Sequence, residues 1–180
     1  MTFAHDTDMA LRTAAALVNT ARGAEDLLTT PQDVREFYDV WGWTGRHDDD
    51  ETEVAEVRAL RSRLHAVWLA ADDVDTAVAL VNGLLSTGKA LPQLVEHGDY
   101  GWHIHATDTD APLARRMQVE AGMAFVDVIR AGELSRLRIC AADDCDNVLV
   151  DLSKNRSKRY CEGGCGNRLA AAAYRSRRDG

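Results

Sequence analysis

The chain lacks several features that would assign it to a familiar class. No hydrophobic run approaches the ~20 residues that span a membrane, and there is no low-complexity tract or internal repeat. The sequence starts Met-Thr-Phe-Ala-His-Asp, without the basic and apolar segments of a signal peptide, so we expect a cytoplasmic protein in a reducing compartment. A glycine-rich phosphate loop and a nucleophile–base motif are also missing, which disfavours an enzyme.

Charge is distributed unevenly along the chain. The net charge is −8, but residues 136–180 carry 10 basic and 6 acidic side chains, whereas residues 1–135 carry 11 basic and 23 acidic ones. An anionic partner would therefore bind the C-terminal end. The length of 180 residues fits one domain with a real core and a second, small domain, and we place the boundary between 1–135 and 136–180.

Cysteine is scarce, and all of it lies in the basic end. Cys140, Cys145, Cys161 and Cys165 form the pattern C-x4-C-x15-C-x3-C, in which two close thiol pairs can fold onto one tetrahedral ion. A disulfide framework is disfavoured by the reducing compartment, and unreactive buried cysteines would not gather in pairs with charged neighbours. The spacing therefore predicts one structural Zn²⁺ held by four thiolates, a closed shell unlike that of a catalytic zinc.

The residues between and after the thiol pairs predict how the finger folds. The apolar run 147–152 predicts a strand, and 158–161 predicts a second strand that returns to form a hairpin with it. Gly163 and Gly164 permit a tight reversal, and Cys165 then opens a helix to about Arg178, where the helix dipole favours a thiolate. This is the layout of a treble-clef finger.

Basic side chains surround the predicted metal site. Four thiolates on one Zn²⁺ leave a charge of −2, which explains some of these cations but not Arg175, Arg177 and Arg178. Helical periodicity places Leu169, Ala172, Ala173 and Ser176 on a face expected to pack on the hairpin. The predicted nucleic-acid contacts are Lys154, Arg156, Lys158, Arg159, Arg168, Arg175, Arg177 and Arg178.

The finger resembles a known family. Residues 151–161 (Asp-Leu-Ser-Lys-Asn-Arg-Ser-Lys-Arg-Tyr-Cys) and the tetrapeptide Cys165-Gly166-Asn167-Arg168 are similar to the CGNR zinc finger. In that family the finger follows a mostly helical ABATE domain, and Ala16-Leu17-Val18-Asn19-Thr20 is similar to part of its first helix. The chain departs from the family in having Tyr160 where tryptophan is common and Val148-Leu149-Val150 where an aromatic strand is common. The resemblance implies a stress-induced transcription regulator.

The N-terminal region predicts five helices. In chain order, the helices are predicted to run from Asp6 or Asp8 to Gly23, from Thr30 to Gly42, from Thr52 to Ala71 and from Asp72 to Gly88. The fifth is predicted to start near Pro112, with Thr107 or Asp108 as its cap, and to end at Gly132. The expected inward stripes are Leu11, Ala14, Ala15 and Val18; Val54, Val57, Leu60, Leu64, Val67 and Trp68; Val74, Val78, Val81 and Leu85; and Leu113, Met117, Ala121, Ala124, Phe125 and Val128. The acidic run His47–Glu51 is interpreted as a solvated helix start rather than a metal cluster.

Residues 91–106 change to a strand-like period. We expect a small β-hairpin from 91–97 and 102–106 with a turn at 98–101. Alternation separates His103 and His105 from the apolar side chains between them, so both imidazoles are expected to face solvent; they could ligate a metal, but the sequence marks out no third ligand. The predicted fold is mainly α, with this hairpin and a C-terminal treble-clef-like four-cysteine finger.

Three classes of function remain open. The first is a DNA-binding regulator whose finger contacts phosphates and whose N-terminal domain senses a small-molecule effector or forms a homodimer. The second is a finger that binds protein or RNA without sequence-specific DNA binding. The third is an enzyme, which a closed zinc shell disfavours. No membrane partner is expected.

Overall fold

A computed structural model describes residues 3–22, 25–96 and 101–178 of the chain. The helices are α1 (His5–Val18), α2 (Pro31–Val40), α3 (Glu51–Leu69), α4 (Val74–Gly88), α5 (Leu113–Arg130) and α6 (Cys165–Arg178), with a 3-10 helix at Leu134–Arg136. The strands are β1 (Ala21–Arg22), β2 (Glu25–Asp26), β3 (Gln93–Glu96), β4 (Trp102–His105), β5 (Leu137–Ile139) and β6 (Val148–Val150). Each strand pairs antiparallel with its neighbour in sequence, as β1–β2, β3–β4 and β5–β6. No helix in these ranges is long and apolar enough to cross a bilayer.

Helix α5 lies at the centre of the core and packs against α1, α3 and α4. All six apolar residues predicted to face inward on α5 are buried, and the predicted stripe of α3 is buried as well. Trp68 of α3 meets Phe125 of α5 edge to face, with ring centroids 5.2 Å apart. The predicted fold class, mainly helical with a small hairpin and a four-cysteine finger, is confirmed.

Short polar side chains start three of the helices. Thr30 accepts a hydrogen bond from the Asp33 N–H while Asp33 bonds back to the Thr30 N–H, which is a capping box with proline at the next position. Asp50 caps α3 by accepting from the Glu53 N–H, and Asp73 caps α4 by accepting from the Thr76 N–H. The acidic run at 47–51 therefore does start a helix, although Glu53 beyond it is buried and accepts from His47 at 2.5 Å.

Two predicted helix caps were wrong. Helix α1 follows Ala4, which offers no side-chain cap, and α5 starts at Leu113, near Pro112 as predicted, but without a threonine or aspartate cap. Pro112 occupies the N-cap position, and its side chain has no acceptor for the first N–H groups of α5. Helix α1 ends at Val18, before the predicted stop at Gly23, which lies outside the described residues.

The inward face of α4 differs from the predicted one. Val74 is 53% exposed and Val78 36% exposed, while Ala77, Val81 and Leu84 are buried. The cause is the close crossing of α4 and α5 at Gly88, where an added Cβ would lie 2.4 Å from Cγ2 of Val119. Helix α4 is rotated about its axis so that Ala77 and Gly88 face the protein interior. The spacing of apolar residues in the sequence does not reveal this rotation.

The β3–β4 hairpin forms as predicted, but its two faces are reversed. Leu94 lies opposite Ile104 and Val95 opposite His103. Trp102 is 68% exposed and Ile104 47% exposed, whereas His103 and His105 are half-buried against the helices. The prediction that both imidazoles face solvent was wrong. The predicted turn at 98–101 falls outside the described residues except for Gly101.

Strand β6 pairs with a different partner from the one predicted. Val148 lies opposite Ile139 and Val150 opposite Leu137, so β6 joins the strand that precedes the first cysteine. Residues 158–161, predicted as its partner, form no strand. These strands also pack on α1 and α3. Leu137, Val148 and Val150 belong to the same hydrophobic core as the helices.

One side chain joins α1 to this strand pair. The Asn19 amide donates to the Val148 carbonyl oxygen and accepts from the Val148 N–H, both at 2.8 Å. The indole of Trp68 donates to the neighbouring Leu149 carbonyl at 3.0 Å. Val148 and Leu149 are buried, so water cannot reach their backbone groups. Asn19 and Trp68 supply the hydrogen-bond partners that these groups need.

We predict that Asn19→Ala destabilises the protein by about 2–4 kcal/mol, because it leaves two buried backbone groups of Val148 without partners. Urea unfolding monitored by circular dichroism measures this loss. Asn82→Ala, at an exposed position of α4, is the control and should change stability by less than about 0.5 kcal/mol. An Asn19→Ala protein as stable as the control would show that the bidentate contact contributes nothing.

Candidate metal centre and basic surface

The four cysteine sulfurs converge on one point. They all lie within 4.8 Å of one another, with 3.8 Å between Cys145 and Cys161 and 3.8 Å between Cys161 and Cys165. These thiols are free, and three of the four cysteines are buried. Sulfurs placed tetrahedrally about 2.3 Å from a zinc ion lie about 3.8 Å apart. The donor set therefore fits one Zn²⁺, and because four thiolates close the shell, the ion has a structural role.

The first thiol pair is held by the turn between β5 and β6. The Cys140 N–H donates to the Asn147 carbonyl at 2.8 Å, and the Cys145 N–H donates to the Ala142 carbonyl at 3.0 Å. These bonds bend residues 141–146 into a knuckle with both sulfurs on one side. The hairpin of the finger is therefore formed by β5 and β6, on either side of the first thiol pair. The sequence had predicted it between the two thiol pairs.

The second thiol pair is brought to the first by the backbone. The Ala141 N–H donates to the Arg159 carbonyl at 2.8 Å, which holds the chain before Cys161 against the knuckle. Cys165 is the first residue of α6, as predicted. Gly164 before it has a φ of +82°, a left-handed conformation that favours glycine. An added Cβ at Gly166 would lie 3.1 Å from the Tyr160 ring, so glycine lets α6 start close to the metal site.

The surroundings shift the pKa values of two of the thiols in opposite directions. Burial opposes ionisation of Cys161, but bonds from the Asn147 side chain and the Gly163 backbone and its thiol neighbours outweigh it and lower the pKa of Cys161 to about 7. Burial raises the pKa of Cys145 to about 12, so a metal ion must displace its proton. The Cys161 N–H also points at the Cys140 sulfur at 3.4 Å.

A buried carboxylate organises the loop between β6 and the second thiol pair. Asp151 is fully buried and accepts from the Ser153 N–H and hydroxyl and from the Lys158 N–H, at 2.5–3.0 Å. Arg138 lies 3.1 Å from it. Burial opposes its ionisation, but these partners outweigh that effect and hold its pKa below the usual value. We did not predict this role, although the Asp-x-Ser pattern of an Asx turn was present.

Three of the predicted cations are paired with acids, and a fourth lies over an aromatic ring. Arg156 bonds Glu133 at 2.8 Å, Lys158 bonds Glu162 at 3.0 Å, and Arg159 lies over the Tyr160 ring at 5.9 Å. Arg168 makes two bonds to Asp144, at 2.6 and 2.8 Å, and reaches the Cys165 sulfur at 3.7 Å. The Asp144 bonds, and then that sulfur, raise the pKa of Arg168. Arg168 thus supports the metal site, as the sequence suggested.

The remaining predicted cations are unpaired. Within the described residues, Lys154, Arg175, Arg177 and Arg178 form no ion pair, and all four are exposed. Only Cys165 of α6 is buried, and Leu169 is half-buried beside the thiols. Ala172 and Ala173, predicted to pack on a hairpin, are exposed because the predicted hairpin does not form there. Helix α6 therefore projects into solvent with three arginines in its last turn.

We predict that the purified protein holds one equivalent of zinc and that a strong chelator disorders residues 140–147 and 153–178. Apparent zinc-binding energies of such sites are about 10–16 kcal/mol, which is more than the small cluster around the thiols can supply. Metal analysis, and hydrogen exchange with and without chelator, measure the two effects.

Amides of α3 and α5 should keep their protection in the chelated protein, because these helices belong to the separate main core. A protein without zinc whose α6 amides are equally protected would contradict a structural metal.

Comparison with known families agrees with this architecture. Residues 136–178 match the CGNR zinc finger, and residues 11–132 match the ABATE family, described as "Putative stress-induced transcription regulator". No curated protein matches the chain. The ABATE match covers well over half of the sequence and the finger match follows it directly, so the chain belongs to the ABATE family and carries a CGNR zinc finger at its C-terminal end.

Proposed function

We propose that the protein is a DNA-binding transcription regulator whose zinc finger presents α6 to the nucleic acid. The observation that supports this most is the exposure of α6, which is attached to the protein at its metal-bound start and is open to solvent along the rest of its length. A helix exposed on nearly all sides has no role in the core. The family description supports transcription regulation in general, and DNA contact by the finger is our inference.

The shape and charge of α6 suit a DNA groove. Its 14 residues span about 21 Å, and the run Ala170–Ala173 keeps its middle narrow. The major groove is about 12 Å wide and admits an α-helix. Arg175, Arg177 and Arg178 form no ion pairs within the described residues, so they can bind phosphates without first breaking a bond to a carboxylate.

The paired cations have a different role in this proposal. Arg156, Lys158 and Arg168 already bond carboxylates, and Arg168 also supports a zinc ligand. They can add to the positive field around the finger, but each would have to exchange a partner to reach a phosphate. We therefore assign the main phosphate contacts to Lys154 and the end of α6, and secondary contacts to the remaining predicted residues.

A signal from the N-terminal region is the second part of the proposal. A cavity of about 260 cubic ångström lies between α1 and β6, and Arg12, Asn19, Trp41 and Lys158 are among its lining residues. A small effector bound there would touch both the helical region and the finger. We also propose a homodimer, because one finger with few phosphate contacts binds weakly and two copies would read two half-sites. The division at 135/136 and a cytoplasmic location remain parts of this proposal.

We predict that Arg175→Ala with Arg178→Ala weakens DNA binding and makes the slope of log affinity against log salt shallower by about 1.8. Each phosphate contact on duplex DNA contributes about 0.9 to that slope. Fluorescence anisotropy with a labelled duplex pool at several salt concentrations measures it, and light scattering of the same complexes gives the number of protein copies.

Arg35→Ala with Arg130→Ala is the matched control, since it removes two exposed arginines from α2 and α5. Both double variants should keep one zinc and the same helicity. Identical salt slopes for the two variants would show that the end of α6 does not contact the DNA phosphates. A wild-type protein that shows no salt-dependent binding to DNA, but binds RNA or protein, would establish the alternative function of the finger.

A further inference from the structure

The inward face of the β3–β4 hairpin lines a small cavity that is remote in sequence from the finger and has histidines and carboxylates in its wall. His103 and His105 line it from β4, Asp6 from α1 and Glu120 from α5, and its volume is about 120 cubic ångström. These four residues come from three different elements. Their chemistry is unused by the zinc finger and by the proposed nucleic-acid surface.

The two imidazoles present their nitrogens to each other. Nε2 of His103 lies 3.1 Å from Nε2 of His105, and the ring centroids are 4.9 Å apart. Two nitrogens bound about 2.0–2.1 Å from one metal ion, at angles between the octahedral and the tetrahedral value, lie about 2.9–3.4 Å apart. The observed separation is therefore already that of two neighbouring ligands on one ion.

A backbone contact orients the His103 ring. Its Nδ1 lies 2.8 Å from the Gly101 carbonyl oxygen, which can only accept, so a proton on Nδ1 suits this contact. A histidine that donates its second N–H to a carbonyl is the usual arrangement of a metal ligand.

Carboxylates supply the further ligands. Within the described residues Glu120 makes no hydrogen bond or ion pair, and its side chain is open to solvent in the groove. The four thiols are the only set of three or more ligand atoms in the described ranges that already lie within 4.8 Å, so Glu120 must change rotamer to join the imidazoles.

We propose that His103, His105 and Glu120, with Asp6 beside them, form a second metal site for a divalent transition ion. Imidazole and carboxylate ligands together suit Zn²⁺, Ni²⁺ and Co²⁺. The ion would tie the hairpin to α1 and α5, so its binding stabilises the N-terminal region independently of the finger. The site goes beyond the proposed regulatory function and does not depend on it.

The test is a titration with Co²⁺ of protein that carries one zinc, held by the four cysteines. The wild type should bind one further equivalent, with weak d–d absorption and no sulfur-to-cobalt charge-transfer band, and its thermal midpoint should rise. A charge-transfer band would instead report exchange of cobalt into the cysteine site. A wild-type protein that takes up no cobalt beyond that exchange overturns the proposal.

Variants assign the ligands. His103→Gln with His105→Gln should weaken the second equivalent by more than the roughly 10–100-fold typical of losing a supporting residue, and Glu120→Gln should weaken it while both imidazoles remain. His65→Gln on α3 is the control and should bind like the wild type. Circular dichroism without cobalt checks that each variant folds. A folded double histidine variant that keeps the second equivalent contradicts the proposal.

Discussion

Strand β6 belongs to the zinc finger and to the helical core at once, and the rest of the structure depends on this sharing. Its three residues are all buried, so each of their backbone groups needs a partner within the protein. Strand β5 supplies some of these partners, and Asn19 and Trp68 supply others. The knuckle that holds the first thiol pair grows out of the same strand pair. The finger is therefore fixed to the helical region and cannot swing on a linker.

Sequence reasoning succeeded where the determining contacts are local. Thiol spacing gave the metal site, because four sulfurs within 26 residues need only short-range turns to meet. The stripes of α3 and α5 and the cap at Thr30 were also predictable, since one turn of helix decides them. These features need no knowledge of the distant chain.

The errors arose where distant elements decide between two local solutions. Residues 148–150 could pair with the strand before or after them, and burial under Asn19 and Trp68 favours β5. In the hairpin, period-two alternation showed that the histidines share a face but not which face meets the helices. Apolar residues were expected inside, yet the imidazoles share a cavity with Asp6 and Glu120 of the helices opposite.

Charge pairing explains why the end of α6, rather than the whole finger, is the strongest candidate for binding a polyanion. Four thiolates and one Zn²⁺ carry −2, and Arg168 near the Cys165 sulfur offsets part of that charge while it also neutralises Asp144. Glu133 and Glu162 likewise compensate Arg156 and Lys158. The charges of Arg156, Lys158 and Arg168 are thus balanced, whereas the three arginines in the last turn of α6 form no ion pair within the described residues. An anion approaching the finger meets its strongest attraction there.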